Sequence, residues 1–470
     1  MRIPKRLQVA VVLLALIKGA IAQSLPRTVA DALEREQIPT SAVTVYVQEV
    51  GNSVPLVALN EAVPFNPAST MKLVTSNAAL ELLGPTFAWK TRAYANGNLV
   101  GDVLHGDLVI KGSGDPKLVI ENFWLFLRRI RERGIREIRG NLVLDRSAFE
   151  ENAFDPALFD GDPMKPYNVG PDALLLNYKA LTFRFMPEEA SGAVRVTVDP
   201  PLAAYPLYSP RMTNGDCGDW RNKLQPAIDS AGARFNGAYS VSCGEKAWHV
   251  HPHLMTHRQY FDLTFRRLWA DLGGTLKGEV REGLLPVTAR LVAEWDSAPL
   301  SEVIRDINKF SNNVMARQLL LTLGSVVTQL PANTDRGAAV VRTWLTGKGI
   351  DAPELSIENG SGLSRTERIS ALTMGRMLVA AFQSPMMPEF VASLSLVGLD
   401  GTMRQRLTNH TVAGKAHIKT GLLNEVRNIA GYVQAVSGKR YVVVCMVNHL
   451  NALRAKDAQD ALLQWIYERG

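Results

Sequence analysis

Apolar residues along the chain recur in two rhythms. Val43-Thr44-Val45-Tyr46-Val47 and Val54 to Leu59, joined by the turn Gly51-Asn52, read as a strand hairpin. Leu73, Val74, Ala78, Ala79, Leu82 and Leu83 recur at helical spacing and stop at Gly84-Pro85, a helix end. Ahead of the hairpin, Val29 and Leu33 give a short helix ending before Pro39. From Phe87 the rhythm shortens: strands at Trp89–Ala95, Gly106–Lys111 and Gly140–Asp145 are interrupted by one helix, Ile120–Arg133. Between about 190 and 257, Val194–Val198, Gly237–Ser242 and Trp248–His253 read as strands among frequent Pro and Gly, the mark of a small β-rich module. Phe261–Leu272 reads as a helix and Val287–Leu291 as a strand. Leu300, Val303, Ile304 and Ile307 mark a helix, Met315 to Leu323 a second, and Thr373–Phe382 a third. A strand at Lys415–Leu422, the hairpin Val426–Val436 and Arg440–Asn448, and an amphipathic helix around Ala458, Leu462 and Ile466 close the chain.

Antiparallel strands flanked by helices from both ends of the chain specify an α+β fold. The β-rich middle makes it a catalytic domain split by an insertion. The expected partition is residues 23–87 and 286–470 for the catalytic domain, 88–190 and 258–285 for an inserted second domain, and 191–257 for a small third domain within the second.

Composition narrows the class. Of the 470 residues, 46% are hydrophobic and 21% charged, which suits a globular chain of two or three domains. Arg2, Lys5 and Arg6, the apolar run Val9–Ile17 and Ala20-Ile21-Ala22 form a secretory signal over residues 1–22. Its removal takes four basic residues with it and lowers the formal charge from +7 to +3, so the basic balance is no argument for nucleic-acid binding. No later run is apolar and long enough for a transmembrane anchor, which leaves a soluble or loosely associated exported protein. Cys217 and Cys243 share a Gly-rich polar region, and in an exported chain a disulfide between them is reasonable; Cys445 sits in a strand pattern as a core thiol. His249, His251, His253 and His257 cluster, but no acidic residue or cysteine completes a zinc site, so they are read as surface histidines with no metal. No cofactor is expected.

Candidate chemistry starts at Ser69. It sits at the head of the helix that follows the hairpin, with Lys72 one turn on and on the same face. A serine hydroxyl is a weak nucleophile without a base, and a lysine serves as that base once burial or a second cation depresses its pKa. S-x-x-K alone is common. Ser311-Asn312-Asn313 between two apolar helices and Lys419-Thr420-Gly421 on a strand complete, in order, the motif set of serine acyl-transferases of the penicillin-recognising type.

The stretches FNPASTMKLVT, GDLVIKGSGDPKL, GNLVLDRSAF, KFSNNVMARQLL, NGSGLSR, GLDGTMRQRL, KTG and NIAGYV span Phe65 to Val433. With them the chain resembles the class C low-molecular-mass penicillin-binding proteins, exported D-alanyl-D-alanine carboxypeptidases and endopeptidases. The resemblance implies a transpeptidase/β-lactamase-like catalytic domain, peptidoglycan stem peptides as substrates, β-lactams as inhibitors and a periplasmic location. It further implies Ser69 as nucleophile, Lys72 as base, Ser311 with Lys419 as proton relay, and Asn313 as a holder of substrate backbone and of Lys72. Lys419 and Thr420 would take the terminal carboxylate, Gly421 would leave room along the strand, and the backbone N–H groups of Ser69 and Leu422 would form the oxyanion hole. Asp162 is the positional candidate for an acidic contact from the second domain. Leu422 departs from the pattern, since a hydroxyl residue is usual there. A β-lactamase or esterase on the same scaffold and a weakly catalytic peptidoglycan-binding protein are the competing readings.

Overall fold

The valine-rich runs near the two ends of the chain meet in one sheet. The computed structural model describes residues 24–151 and 153–470; the expected signal segment lies outside them. The sheet has six strands in the order Pro55–Leu59, Val43–Glu49, Arg440–Asn448, Val426–Gln434, Ala416–Leu423 and Ser395–Leu396. Every neighbouring pair in it is antiparallel.

Both faces of this sheet are covered, which is why its central strands are apolar at consecutive positions rather than at alternate ones. Tyr46, Ala430, Tyr432, Val442 and Val444 face the helices Met71–Leu83, Asn313–Thr328 and Ala371–Gln383. Val45, Val47, Ile418, Ile429 and Val443 face the helices Arg27–Arg35 and Lys456–Arg469. Cys445 packs in the second layer, where burial pushes its thiol up to about 12.

A second core belongs to the middle of the chain. Strands Lys90–Val100, Val103–Lys111, Glu137–Ile138 and Leu142–Asp145 join Thr275–Leu276, Val280–Glu282 and Arg290–Asp296 in a seven-stranded sheet. Phe123, Phe126 and Ile130 of the helix Ile120–Glu132 pack there with Phe261 and Phe265 of the helix His257–Asp271.

The strand expected at Val287–Leu291 forms three residues later, at Arg290–Asp296, and pairs with Lys90–Val100 in this second sheet. Val287 is fully exposed in a turn. Residues as far as Asp296 thus stand in the second sheet.

The small sheets also begin earlier than residue 191. Leu181–Glu188 pairs with both Ala193–Asp199 and Lys246–Val250. Beside it, Phe185, Phe235, Tyr239 and Trp220 form a cluster of aromatic edges and faces. Cys217 and Cys243 are disulfide-bonded there, with Cα atoms 4.9 Å apart. The strand expected to run to His253 stops at Val250, ahead of Pro252, which has no N–H to give a ladder. No helix among the described residues is long and apolar enough to cross a membrane.

Candidate active site

Ser69 owes its position to a short strained turn. Ala68–Thr70 is a single 3-10 turn feeding directly into the helix Met71–Leu83, and Ala68 has φ of +44°. A non-glycine residue holds that conformation only where its surroundings over-determine it. Here Asn66 does so. Its Oδ1 accepts from the Ala68 N–H at 2.8 Å. Its own backbone N–H donates to Asn448 Oδ1 at 2.7 Å, and its backbone oxygen accepts from Asn428 Nδ2 at 2.9 Å. The sheet strands thus fix the turn, and Ser69 is left half-buried at the floor of a cleft.

Lys72 is fully buried beneath it. Its Nζ donates to Ser69 Oγ at 3.0 Å, to Asn313 Oδ1 at 2.5 Å and to the backbone oxygen of Ser361. Among the described residues no carboxylate lies within ion-pair distance of it. Burial drives its pKa well below the ordinary lysine value, and the charges of Lys419 and Arg317 push the same way against a weaker pull from Glu367.

Ser311 and Asn313 come from the break between two helices. Ser311 has φ of +58°, and Asn312 caps the helix Asn313–Thr328 by accepting from the Met315 N–H at 3.0 Å. The break aims Asn313 at Lys72 and Ser311 at the strand opposite. There Lys419 Nζ donates to Ser311 Oγ at 2.8 Å and to the Thr420 backbone oxygen at 2.9 Å. Burial lowers Lys419 to about 7. Thr420 Oγ1 donates to Thr402 Oγ1 at 2.9 Å. A Cβ on Gly421 would stand 2.8 Å from the Pro67 oxygen and 3.2 Å from the Ser69 nitrogen, so glycine there lets the strand close on the nucleophile turn.

A third wall is the loop 359–367. The buried Glu367 carboxylate accepts from the backbone N–H groups of Glu358, Asn359 and Gly360 at 3.2, 2.9 and 2.8 Å, which folds the loop so that the Ser361 oxygen reaches Lys72. Gly362, at φ of +79°, backs onto the nucleophile turn; a Cβ there would lie 1.8 Å from the Ala68 oxygen. Asn66, Ser361, Gly362 and Glu367 are the site residues that the motif spacing did not single out. Ser361 and Gly362 had a visible signal in the turn-rich Asn359–Arg365 stretch, and Asn66 in the stretch FNPASTMKLVT; Glu367 had none.

The cleft measures about 720 Å³. Ser69, Ser311, Asn313, Thr420, Gly421 and Leu422 line it, while Lys72 and Lys419 lie buried below. Asp162 does not line it. Its carboxylate accepts from the Met164 N–H at 3.2 Å and stands 3.6 Å from Lys165 Nζ. The acidic side chain in the cleft wall is Asp160, two residues earlier. Burial opposes its charge, but hydrogen bonds from Tyr167 Oη at 2.7 Å and Asn168 Nδ2 at 2.8 Å outweigh it and hold the carboxyl below its usual value.

The histidines divide. His249 pairs with Thr182 Oγ1 at 2.8 Å, whereas His251, expected at the surface, is buried with Nδ1 3.0 Å from the Pro163 oxygen. Burial also lowers His257 to about 4, 3.7 Å from Asp172.

The profile of the D-Ala-D-Ala carboxypeptidase 3 (S13) family matches residues 25–469. A D-alanyl-D-alanine carboxypeptidase of Actinomadura sp. (strain R39) is 29% identical over 398 residues, covering 79% of this chain and 71% of that protein. D-alanyl-D-alanine carboxypeptidase DacB of Haemophilus influenzae is 24% identical over 403 residues, 85% of this chain and 84% of the relative. The crystal structure of penicillin binding protein 4 from Haemophilus influenzae superposes with a TM-score of 0.80 at 22% identity, over 94% of this chain and 99% of the other.

Proposed function

The chain belongs to the D-Ala-D-Ala carboxypeptidase 3 (S13) family, and from that premise we propose a serine DD-peptidase that works on peptidoglycan through an acyl-enzyme on Ser69. The observation that carries this reading is the buried Lys72 ammonium, 3.0 Å from Ser69 Oγ and without an acidic partner among the described residues. Such a lysine is readily neutral, and a neutral lysine is a base.

In the proposed reaction Ser69 Oγ bonds to the carbonyl carbon between two D-alanines as its proton passes to Lys72. The oxyanion that forms rests on the backbone N–H groups of Ser69 and Leu422, with Gly421 keeping the strand close. Asn313 holds Lys72 and the peptide backbone of the substrate. When the C–N bond breaks, Ser311 gives its hydroxyl proton to the departing amine and is reprotonated by the proton that Lys72 took from Ser69, while Lys419 at 2.8 Å steadies it. Lys419 and Thr420 face the terminal carboxylate of the leaving residue. Water then takes the acyl group from Ser69. A β-lactam would follow the first half of this course and stop at the acyl-enzyme.

Stem peptides and cross-links both offer the scissile bond, so carboxypeptidase and endopeptidase action belong to the same proposal, as does a periplasmic site of action. We also propose a partition at the sheet boundaries: a catalytic part near 24–87 and 297–470, an inserted part near 88–180 and 251–296, and a small module near 181–250.

The test is the intact mass of the protein after exposure to benzylpenicillin, beside Ser69→Ala. A stable adduct in the wild type and none in the variant is the expected result. Hydrolysed penicillin without an adduct would favour a β-lactamase. Intact penicillin without an adduct would favour a peptidoglycan-binding protein.

A further inference from the structure

Leu422 poses a problem at the end of the cleft where the leaving residue sits. Its side chain is 57% exposed and donates nothing, at a position where a hydroxyl is expected. The strand across from it supplies what is missing. Leu422 pairs directly with Arg427 in the antiparallel ladder, and Thr420 lies two residues along the same strand. Side chains of a directly opposed pair share a face of the sheet, as do those two apart along a strand. Thr420, Leu422 and Arg427 therefore stand side by side, and all three line the cleft that contains Ser69.

Arg427 is also a charge without a counter-ion. Among the described residues its side chain makes one hydrogen bond, from Nη1 to the Leu453 backbone oxygen at 2.8 Å. Its buried Nε has no partner. The acid nearest to hand, Asp460, is already held by Arg406 at 3.0 Å. Burial and the like charge of Arg406 both press on the Arg427 guanidinium and outweigh the pull of Asp460 and Asp457, neither of which pairs with it. A second positive group beside it worsens the balance, and an anion in the cleft would relieve both.

The geometry points to Arg427 as a specificity-determining residue that receives the substrate's terminal carboxylate from the neighbouring strand, in place of the hydroxyl that Leu422 lacks. This rests on the reading of Ser69 as the acylated nucleophile. A guanidinium matches a carboxylate in shape as well as in charge, and its hydrogen bonds are of the stronger, charge-assisted kind. The leucine then serves as an apolar wall that keeps water from competing for the pair.

The experiment compares acylation by benzylpenicillin, which carries a free carboxylate, with acylation by its methyl ester, in wild type, Arg427→Met and the double variant Arg427→Met with Leu422→Thr. The readout is the ratio of the two acylation rate constants within each protein, which a partly folded sample does not change. Wild type should prefer the acid roughly 10- to 100-fold, the range expected for a charged hydrogen bond. That ratio should fall several-fold in Arg427→Met, to the preference that Lys419 and Thr420 sustain, and recover in part when threonine is restored at 422. An acid-to-ester ratio in Arg427→Met equal to that of wild type overturns the assignment. Equal rates for acid and ester in wild type overturn it too, and leave Ser69 as the nucleophile. No acylation of wild type by either compound removes the nucleophile reading, and the assignment with it.

Discussion

Two buried lysines, 72 and 419, share one small volume, and their differing partners divide the chemistry between them. Lys72 touches Ser69, the proposed nucleophile, so Lys72→Met should slow acylation by benzylpenicillin about 10²- to 10⁴-fold, the usual loss of a general base. Lys419 should show itself in stability against pH. Folded, it titrates near 7; unfolded, it returns to the model-peptide value of 10.5. Below pH 7 both states carry the proton, and the fold bears the whole cost of a desolvated cation. Between about 7 and 10.5 only the unfolded chain holds the proton, so stability rises with pH. Lys419→Met lacks this term. Its Tm should therefore exceed that of wild type at pH 6, and the difference should shrink as the pH is raised to 9.5, as followed by thermal melts. At this scale the chain was most legible where the candidate groups stand at motif spacing: Ser69, Lys72, Ser311, Asn313 and Lys419 meet in space. It was least legible where a residue acts through the backbone, as Asn66 and Glu367 do, because a hydrogen bond to a peptide N–H leaves no pattern in sequence. Asp160 and Asp162 illustrate a related limit. Two carboxylates on one loop differ only in which way the loop turns, and the partners that decide it, Tyr167 and Asn168, come later in the chain.

Between the elements, the most exacting contact is that of the loop 359–367 against the nucleophile turn. Gly362→Ala would drive a methyl group into the Ala68 peptide at a left-handed φ. The expected cost is about 1–3 kcal/mol from the backbone alone, with more from the overlap, and acylation should fall further than the folded fraction does. Glu367→Ala tests the same loop from behind. It removes the oxygen that accepts all three N–H groups, which should lower Tm and slow acylation, since the Ser361 oxygen that positions Lys72 depends on that fold; stopped-flow acylation beside a melt separates the two effects. Helices and strands with a clean period were readable, from Ile120–Glu132 to the terminal hairpin. The helix Thr334–Gly347 was not read, because its apolar stripe is short: Val340, Val341, Trp344 and Leu345 recur at helical spacing, while the buried positions of its first half are Gly337 and Ala338. Val287 misled in the opposite sense: a β-branched residue in a turn imitates a strand start, and the pairing with Lys90–Val100 decides otherwise.

Across the whole molecule, three large hydrophobic cores stand out among the described residues. Two lie on the faces of the six-stranded sheet and one under the seven-stranded sheet and its small neighbours. The insertion was legible from the change of rhythm at Phe87. Its edges were not, because the strands Leu181–Glu188 and Arg290–Asp296 obey their sheet partners rather than any local boundary signal. The Cys217–Cys243 bridge closes a loop of 26 residues in the small module, far in sequence from the catalytic motifs. Replacing both cysteines by alanine should cost that module about 2–4 kcal/mol and expose it to trypsin, while the acylation rate stays within twofold of wild type. The tie between Asn66 and Asn448 spans 382 residues, and it holds the turn on which Ser69 stands. At roughly 5–20 residues per second of synthesis, the two asparagines emerge some 20 to 75 seconds apart. The nucleophile is thus made early and armed late: for most of its birth the enzyme carries an inert serine, and only a finished chain can open a bond in the wall around the cell.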